Sequence, residues 1–389
     1  MNNAILILLS CGAGDYINKG VLIGFYFVFV YQAVTRRRIL MNAIGSAAFW
    51  ILAFFGLYFI IVGFESLSDL KRFFIAPAFL YLSGWVLTEA HGGAKNPEIA
   101  IGNIQKIVLS IMIGYSIHAL LNYSVNIGRE RWLLIDYFSG SLRAATGLGM
   151  INTIAFSTFL YCFMEKNIKK KTVAGGCVII AIVYGLQVGS RTQLLILIAV
   201  TMACLLFYFH EVDNAKGIRI TLLTILTLCV AAVVVINTDF MGLRTKIEMS
   251  NLFYRVNADT SYGDGVRAER LIQGLQSLLD YPLGNQAQLY FHNMWLDAGR
   301  VAGTVAFLLI VIYSLITYRH VWLIACNKKI ALSFRLMLFG IYLGLLMNYF
   351  VEPVLEGMTE HFYVFCLING ATECLFTCIR REMQSESKT

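Results

Sequence analysis

The sequence predicts an all-α, polytopic membrane helical bundle of about 12 transmembrane helices. Of the 389 residues, 58% are hydrophobic and only 14% are charged, which is more apolar than an ordinary soluble domain. The apolar residues also fall into runs close to the roughly 17–25 residues that a helix needs to cross a bilayer. Because the sequence has only 4 prolines and no polar low-complexity tract, we expect residues 1–389 to form a single integral membrane domain.

Each predicted span is an apolar run bounded by polar or charged residues. A helix is expected in each, because a helix satisfies its own backbone hydrogen bonds in lipid. The predicted spans are 3–14, 20–34, 41–63, 73–87, 104–121, 147–163, 172–188, 192–210, 220–236, 298–318, 330–350 and 361–379.

Lysine and arginine are concentrated in every second loop between these spans, for example at 36–38, 166–171 and 380–381. Such loops face the cytoplasm in membrane proteins, so the pattern predicts that both termini are cytoplasmic. The net charge of +8 is then a topology signal. We therefore expect membrane lipid, and no nucleic acid, among the partners of the chain.

Two connections on the predicted outer side, 122–146 and 237–297, are too long to be simple links. The second one contains apolar residues at helical spacing, which predict a packed surface helix over 266–279, and 280–285 reads as a turn. After this turn, residues 290–297 lead into the next span. We expect that span to begin a turn or two outside the membrane.

A tight outer hairpin is predicted at 188–192, where Arg191 lies between two spans with almost no loop. A guanidinium at the membrane boundary is costly unless it pairs or faces water, so Arg191 is a candidate for substrate binding. The alternative is an arginine that extends its charge to water and stabilises the turn.

Further arginines occur in both long connections. Arg267 and Arg270 are three residues apart on the predicted helix, so both could face one ligand, and a guanidinium suits phosphate oxygens. The alternative is a solvated helix face that also carries Glu269. Arg143, just before a span, could offer a second cation, or could serve only to orient that span.

His292 and Asn293 occur where the long loop returns to the membrane. Imidazole exchanges its proton near neutral pH, so His292 could take a proton from a substrate hydroxyl, with Asn293 as a neighbouring substrate ligand. The alternative is a structural histidine in an aromatic belt. Glu352, before Pro353 at the outer end of a span, could pair with an arginine or polarise the histidine.

The sequence lacks the motifs of several enzyme classes. It has no GxxxxGK[ST], HExxH, GxSxG, DxD or CxxC pattern, and its cysteines lie mostly inside apolar runs. We expect no metal site and no cofactor. The deep parts of the predicted spans are nearly free of charged residues, which favours chemistry at the membrane surface over transport.

The order of several motifs resembles the O-antigen ligase and polymerase superfamily, over roughly residues 181–317. These motifs are the hairpin Ser190-Arg191-Thr192, one span, and a long outer loop with Arg267 ahead of Gly274-Leu275, Pro282-Leu283-Gly284, His292-Asn293 and Gly299 to Gly303. The twelve-span topology with cytoplasmic termini is similar across the rest of the chain.

This resemblance implies a GT-C-like, inverting, metal-independent glycosyltransferase of the bacterial cytoplasmic (inner) membrane, with an extracytoplasmic active site. Donor and acceptor would be glycans linked to polyprenyl diphosphate, and a chain-length regulator and a flippase of the same pathway would be partners. By motif, Arg191 and Arg267 would bind the diphosphate, and His292 would act on the acceptor hydroxyl. Arg270 falls one turn beyond the loop arginine of the family.

Two enzymes of this superfamily fit the residues equally well. One is a polymerase that joins repeat units of O-antigen or capsule, and the other is a ligase that transfers the glycan to lipid A core. We favour the polymerase by analogy, because the outer loop is modest in length. A transporter or lipid flippase is the alternative from another class.

Overall fold

The computed structural model of this protein is mainly helical, and no strand is present in the residues that it describes. An isolated bridge joins Ile135 and Leu142. The predicted class of an all-α, multi-pass membrane protein is confirmed. The described residues are 2–11, 47–62, 76–93, 95–130, 133–212, 223, 243–253, 264–357 and 359–386.

The helices are numbered along the chain over these described residues. They are α1 (Asn2–Ser10), α2 (Ala47–Val62), α3 (Ala76–Glu89), α4 (Pro97–Val125), α5 (Ala145–Met164), α6 (Ile168–Val188), α7 (Arg191–Glu211), α8 (Leu243–Glu248), α9 (Asp264–Asp280), α10 (Met294–Ala325), α11 (Leu332–Val351), α12 (Val354–Gly357) and α13 (Thr359–Glu386).

Within the described residues, 7 helices are long and apolar enough to cross a membrane, namely α4 to α7, α10, α11 and the part His361–Gln384 of α13. They correspond to seven of the predicted spans. The predicted spans 3–14, 41–63 and 73–87 coincide with the shorter helices α1, α2 and α3. The predicted spans 20–34 and 220–236 lie outside the described residues, so the count of about 12 stays a prediction.

The sequence sets the ends of several helices. The side chain of Asn167 accepts hydrogen bonds from the backbone N–H groups of Lys169 and Lys170 and so caps the start of α6. Gly189 ends α6 in the left-handed conformation, with φ of 70°.

Leucine and isoleucine side chains, such as Ile179 of α6 and Leu206 of α7, are exposed on the helices, as expected for a surface that faces lipid.

The chain divides into two compact units. Unit 1 comprises Met1–His118, Ser261–Ile330 and Leu345–Thr389, and unit 2 comprises Ala119–Thr260 and Ala331–Gly344. The candidate residues of the long loop and Glu352 therefore belong to unit 1. Arg191 and Arg143 belong to unit 2.

In unit 1, α3 and α13 are in backbone contact through two glycines. A β-carbon built on Gly84 would overlap the carbonyl oxygen of Leu367, and one built on Gly370 would overlap the carbonyl oxygen of Tyr81. Small residues permit such close packing of helices in membranes. The two glycines thus set the distance between α3 and α13.

In unit 2, residues of α11 pack on α5 and α7. Gly340 and Gly344 both lie against Ser157. Nearby, Arg335 of α11 donates to Glu211 of α7 at 2.7 Å, and the side chains of both are about 5% exposed. This buried ion pair joins the two helices.

A second, partly buried pair lies in unit 1, where His320 of α10 and Glu373 of α13 are 2.7 Å apart. The ring of Phe376 stacks on His320 at 3.9 Å. Arg335 and Glu373 both lie inside candidate membrane spans. Each of these two charged groups lies beside a partner side chain that offsets part of the cost of its desolvation. The expectation that the deep parts of the spans are nearly free of charge stays a prediction.

We expect Glu211→Gln to lower the free energy of unfolding by about 3 kcal/mol, because it leaves the Arg335 guanidinium buried without its counter-charge. The matched control is Glu248→Gln, which breaks the exposed pair of Arg244 and Glu248, at 2.7 Å, and should cost about 0.5 kcal/mol or less. Thermal unfolding of the detergent-solubilised protein measures both. Equal melting temperatures for the two variants would contradict the structural role of the buried pair.

Candidate functional site

A sharp fold-back divides α10 at Gly303, whose φ of 83° and ψ of 178° are not helical. On either side of it the chain runs antiparallel: Trp295 Nε1 donates to Ser314 Oγ at 2.9 Å, and a β-carbon on Gly299 would lie 3.1 Å from Phe307 Cβ. The predicted span 298–318 is present in α10, but its expected extension as a helix beyond the membrane is wrong, because the chain reverses at Gly303. The glycine permits a reversal that an apolar run does not signal.

Residues 284–302, here called the fold-back segment, form a hairpin of an irregular stretch, residues 284–293, and a short helix, residues 294–302. Gly284 lies against Val301, and Asn285 N donates to Arg300 O at 2.6 Å. The Arg300 guanidinium donates to the carbonyl oxygens of Gln286 and Gln288 at 3.2 and 2.8 Å. Arg300 thus holds the irregular stretch 284–293 alongside the short helix.

Helix α9 supports the fold-back segment from one side. Gly274 lies against Phe291 and Leu296, and the Ser277 hydroxyl donates to Gln288 Oε1 at 2.7 Å. The predicted helix 266–279 is present as α9. It buries Gly274, Ser277 and Leu278, while Leu271, Leu275 and Leu279 are exposed.

His292 lies at the tip of the fold-back segment, where the irregular stretch meets the short helix. Its φ is 57°, a left-handed conformation that only His91 shares among the described non-glycine residues. The His292 side chain is half-buried and contacts the ring of Tyr290 edge-on, with ring centroids 4.8 Å apart. A conformation this unfavourable persists only where the surrounding contacts hold it.

One carboxylate holds the backbone on both sides of His292. Asp297, whose side chain is fully buried, accepts hydrogen bonds from the N–H of Phe291 at 2.6 Å and from the N–H of Asn293 at 3.2 Å. Arg300 lies 3.9 Å from the same carboxylate. Asp297 and Arg300 therefore determine the course of the chain around the histidine.

Asn293 is 3% exposed and begins α10. Its side-chain oxygen accepts from Leu296 N at 3.1 Å, and its amide donates to Phe350 O at 3.4 Å. These are the contacts of a helix cap. The proposed role of Asn293 as a substrate ligand stays a prediction, and its observed contacts join the His292 tip to the end of α11.

Glu352 follows α11 and is 1% exposed. It lies two residues beyond Phe350, which accepts from Asn293 and packs against Trp295 with ring centroids 5.0 Å apart. The structure thus brings the chain at Glu352 near the tip that carries His292. Because the Glu352 carboxylate is buried, a role in supporting a polar site fits it better than the role of a charge on the surface.

The two long-loop arginines both lie on α9. Arg270 donates to the Tyr290 carbonyl oxygen at 2.9 Å and is partly exposed. It therefore contacts the irregular stretch that leads to His292. The direction of the Arg267 side chain lies outside what the structure describes. Their joint action on one ligand stays a prediction.

In unit 2, Arg191 is the first residue of α7, directly after a two-residue link from α6. Gly189 lies against Asn251, whose amide donates to Gln187 O at 2.7 Å, while Gln187 donates to Tyr123 O at 3.0 Å. The link is thereby fixed. The Arg191 side chain is half-buried at this fixed turn.

Arg143, also in unit 2, is exposed and lies two residues before α5. Its N–H donates to Leu134 O at 3.0 Å, which closes a small hairpin. The Asn126 side chain donates to Ile135 O at 2.8 Å and accepts from Ile135 N at 2.9 Å, so it pins this hairpin to the end of α4. Arg143 is thus carried by an ordered loop.

Sequence reasoning missed Asp297, Arg300 and Gly303 as residues that build the site. A signal was present, since an acid and a base three residues apart in a short apolar segment indicate a buried pair. Among the described residues, no group of three or more His, Cys, Asp or Glu side chains could hold a metal ion. Metal independence itself stays a prediction.

Comparison with models of known protein families and with curated proteins finds no match for this chain. The features of this chain that bear on its function are therefore particular residues and their contacts. In unit 1 these are His292, its Asp297 and Arg300 supports, and Arg270. In unit 2 the corresponding feature is Arg191 at its fixed turn.

Proposed function

We propose that this chain is an inverting, metal-independent glycosyltransferase that polymerises polyprenyl-diphosphate-linked oligosaccharide repeat units of a bacterial surface polysaccharide, O-antigen or capsule. It acts at the outer face of the cytoplasmic membrane, as a GT-C-like bundle of about twelve spans with cytoplasmic termini. Its partners are the lipid-linked donor and acceptor, together with a chain-length regulator and a flippase.

The observation that carries this proposal is the tip at His292. The imidazole is attached to a left-handed backbone that is held by the buried Asp297 carboxylate and by the cap at Asn293. Strained backbone conformations that are held by the surrounding contacts occur mainly at functional sites. Glycine would fit the turn at lower cost, so the presence of histidine supports a chemical role for the side chain.

The proposed reaction needs a base and cations. The oxygen of the acceptor hydroxyl attacks the anomeric carbon, the bond from that carbon to the diphosphate oxygen breaks, and the hydroxyl proton passes to His292. The diphosphate leaves with the bonding electron pair and needs no proton from an acid. Arg191 and Arg267 bind it and stabilise the charge that develops on it.

The remaining candidates take supporting roles in the proposal. Arg270 and Asn293 order the chain next to His292 through their contacts with Tyr290 and Phe350. Glu352 supports the same region as a buried carboxylate. Arg143, exposed on its loop, attracts the anionic lipid-linked substrate.

The test is the length of the glycan on a gel, in a strain lacking the gene and complemented with wild type, His292→Ala, Arg191→Ala or Arg267→Ala. We expect each variant to lose the ladder of long chains and to leave single repeat units, because the base or the diphosphate ligands are missing. Removal of the base should slow transfer about 10²–10⁴-fold. The amount of each variant in the membrane is measured in parallel.

Two controls match the substituted residues. His91→Ala removes another histidine with a left-handed backbone, and Arg244→Ala removes an exposed arginine. Both should keep the ladder. Long polymer that accumulates on the polyprenyl carrier would identify a ligase, and an unchanged ladder in the site variants would sink the proposed site.

Transport of a lipid-linked glycan is the second candidate, because the pairs Arg335–Glu211 and His320–Glu373 put ionisable groups within spans. The two functions differ in where unused substrate accumulates. A polymerase defect leaves repeat units at the outer face, where an added glycosidase can digest them in intact spheroplasts. A transport defect leaves them protected on the cytoplasmic side.

A further inference from the structure

We propose that Asp297 is the positioning residue of the site, whose buried carboxylate holds His292 in its working orientation. The inference rests on the proposed function, since it assigns Asp297 to the base of that reaction. It does not follow from the motifs of the sequence, where Asp297 is only the first acid of a helix.

The geometry has three parts. The two oxygens of the Asp297 carboxylate accept separately, Oδ1 from Phe291 N at 2.6 Å and Oδ2 from Asn293 N at 3.2 Å. Asp297 N in turn donates to Asn293 O at 2.8 Å. The residue on either side of His292 is thus tied to the same side chain, and that side chain is fully buried.

The two hydrogen bonds that Asp297 accepts from Phe291 and Asn293 are here called the Asp297 clasp. The clasp explains how His292 stays at a φ of 57°. In an L-residue the left-handed region places the β-carbon close to the backbone, and an unrestrained chain returns to negative φ. Such a return would swing the imidazole away from its present direction. Small misplacements of a catalytic group cost about 10²-fold in rate, so the clasp is a condition for the function of His292.

Arg300 completes the arrangement on the other side of the carboxylate. It lies 3.9 Å from Asp297 and donates to the carbonyl oxygens of Gln286 and Gln288. A carboxylate buried in this way needs a counter-charge and hydrogen-bond donors, and here it has both. The pair is therefore part of the scaffold around His292.

The test uses Asp297→Asn in the full-length protein, with transfer measured on purified protein and a lipid-linked repeat unit. Asparagine keeps the size but turns an NH₂ group toward one of the two N–H donors, so one hydrogen bond is lost. We expect kcat to fall about 10²-fold while KM changes less than about threefold. Asp280→Asn, at the exposed end of α9, is the matched control and should change neither.

A double variant separates positioning from general damage to the fold. If Asp297 acts through His292, then Asp297→Asn combined with His292→Ala is no slower than His292→Ala alone. A further independent loss would overturn the proposal. Full activity of Asp297→Asn beside an inactive His292→Ala would also overturn it, whereas an active His292→Ala would overturn the proposed function itself.

Hydrogen exchange on the wild type covers the case in which Asp297→Asn does not fold. We expect the amides of Phe291 and Asn293 to exchange much more slowly than that of Ala287, which lies in the exposed part of the same loop. Exchange at equal rates would show that no clasp exists, and the proposal would fail. Asp297→Glu, which keeps the charge but shifts the carboxylate, is the second variant and should also lose kcat.

Discussion

Gly370→Ala should strongly destabilise the protein, although it adds a single methyl group and raises helix propensity. The new β-carbon would overlap the carbonyl oxygen of Tyr81 on α3, and the same holds for Gly84→Ala and the carbonyl oxygen of Leu367 on α13. A backbone oxygen cannot rotate away as a side chain can, so α3 and α13 must separate. We expect a loss of about 3 kcal/mol or more for either variant.

The matched control is Gly102→Ala on α4, because a β-carbon there has no atom within 4 Å. Alanine is a better helix former than glycine by up to about 1 kcal/mol, so this variant should be unchanged or more stable. Thermal unfolding and size-exclusion profiles in detergent compare the three proteins. If Gly370→Ala and Gly102→Ala melt at the same temperature, the close contact of α3 and α13 does not exist.

Hydropathy was sufficient to find the 7 described helices that are long and apolar enough to cross a membrane, because burial in lipid selects for long apolar runs that are visible in a single sequence. The helices α5, α6, α7 and α11 lie within a few residues of their predictions, whereas α4 begins earlier and α13 ends later than predicted. The helix α9 was also predictable, from apolar residues at helical spacing followed by Pro282 and Gly284. Local features of the chain determine all of these elements.

The fold-back at Gly303 could not be predicted in the same way. A glycine within an apolar run is compatible with a straight span, and only tertiary contacts reveal the reversal. The contact between Trp295 and Ser314, nineteen residues apart, is one of them. The same reversal buries Asp297 and Arg300, which sequence position alone assigned to the exposed start of a helix.

The face of α9 that packs was also not predictable. Its leucines suggested the buried side, yet Gly274 and Ser277 pack against the fold-back segment, and Leu275 is 52% exposed. Small residues permit close approach of packed segments, so the side of α9 with Gly274 and Ser277 is the side that packs. For the site, the sequence therefore identified candidate residues, and it did not identify the scaffold that holds His292.

His292→Gly should make the protein inactive and at the same time no less stable than the wild type. A non-glycine residue in the left-handed region costs about 1–2 kcal/mol. Glycine removes this cost but loses about 0.5–1 kcal/mol through the greater freedom of the unfolded chain. His292→Ala keeps the strain and also loses the contact with Tyr290, so it should be the least stable of the three.

His91 provides the control, since its φ of 58° is nearly the same and its side chain is exposed in the short 3-10 turn that follows α3. His91→Gly should likewise be at least as stable as the wild type, and it should keep full activity. Melting temperature and rate of glycan transfer are measured for both glycine variants. A His292→Gly protein that retains activity would mean that the turn, and not the imidazole, is what the site requires, whereas stable but inactive protein is the result expected of a base held on a strained backbone.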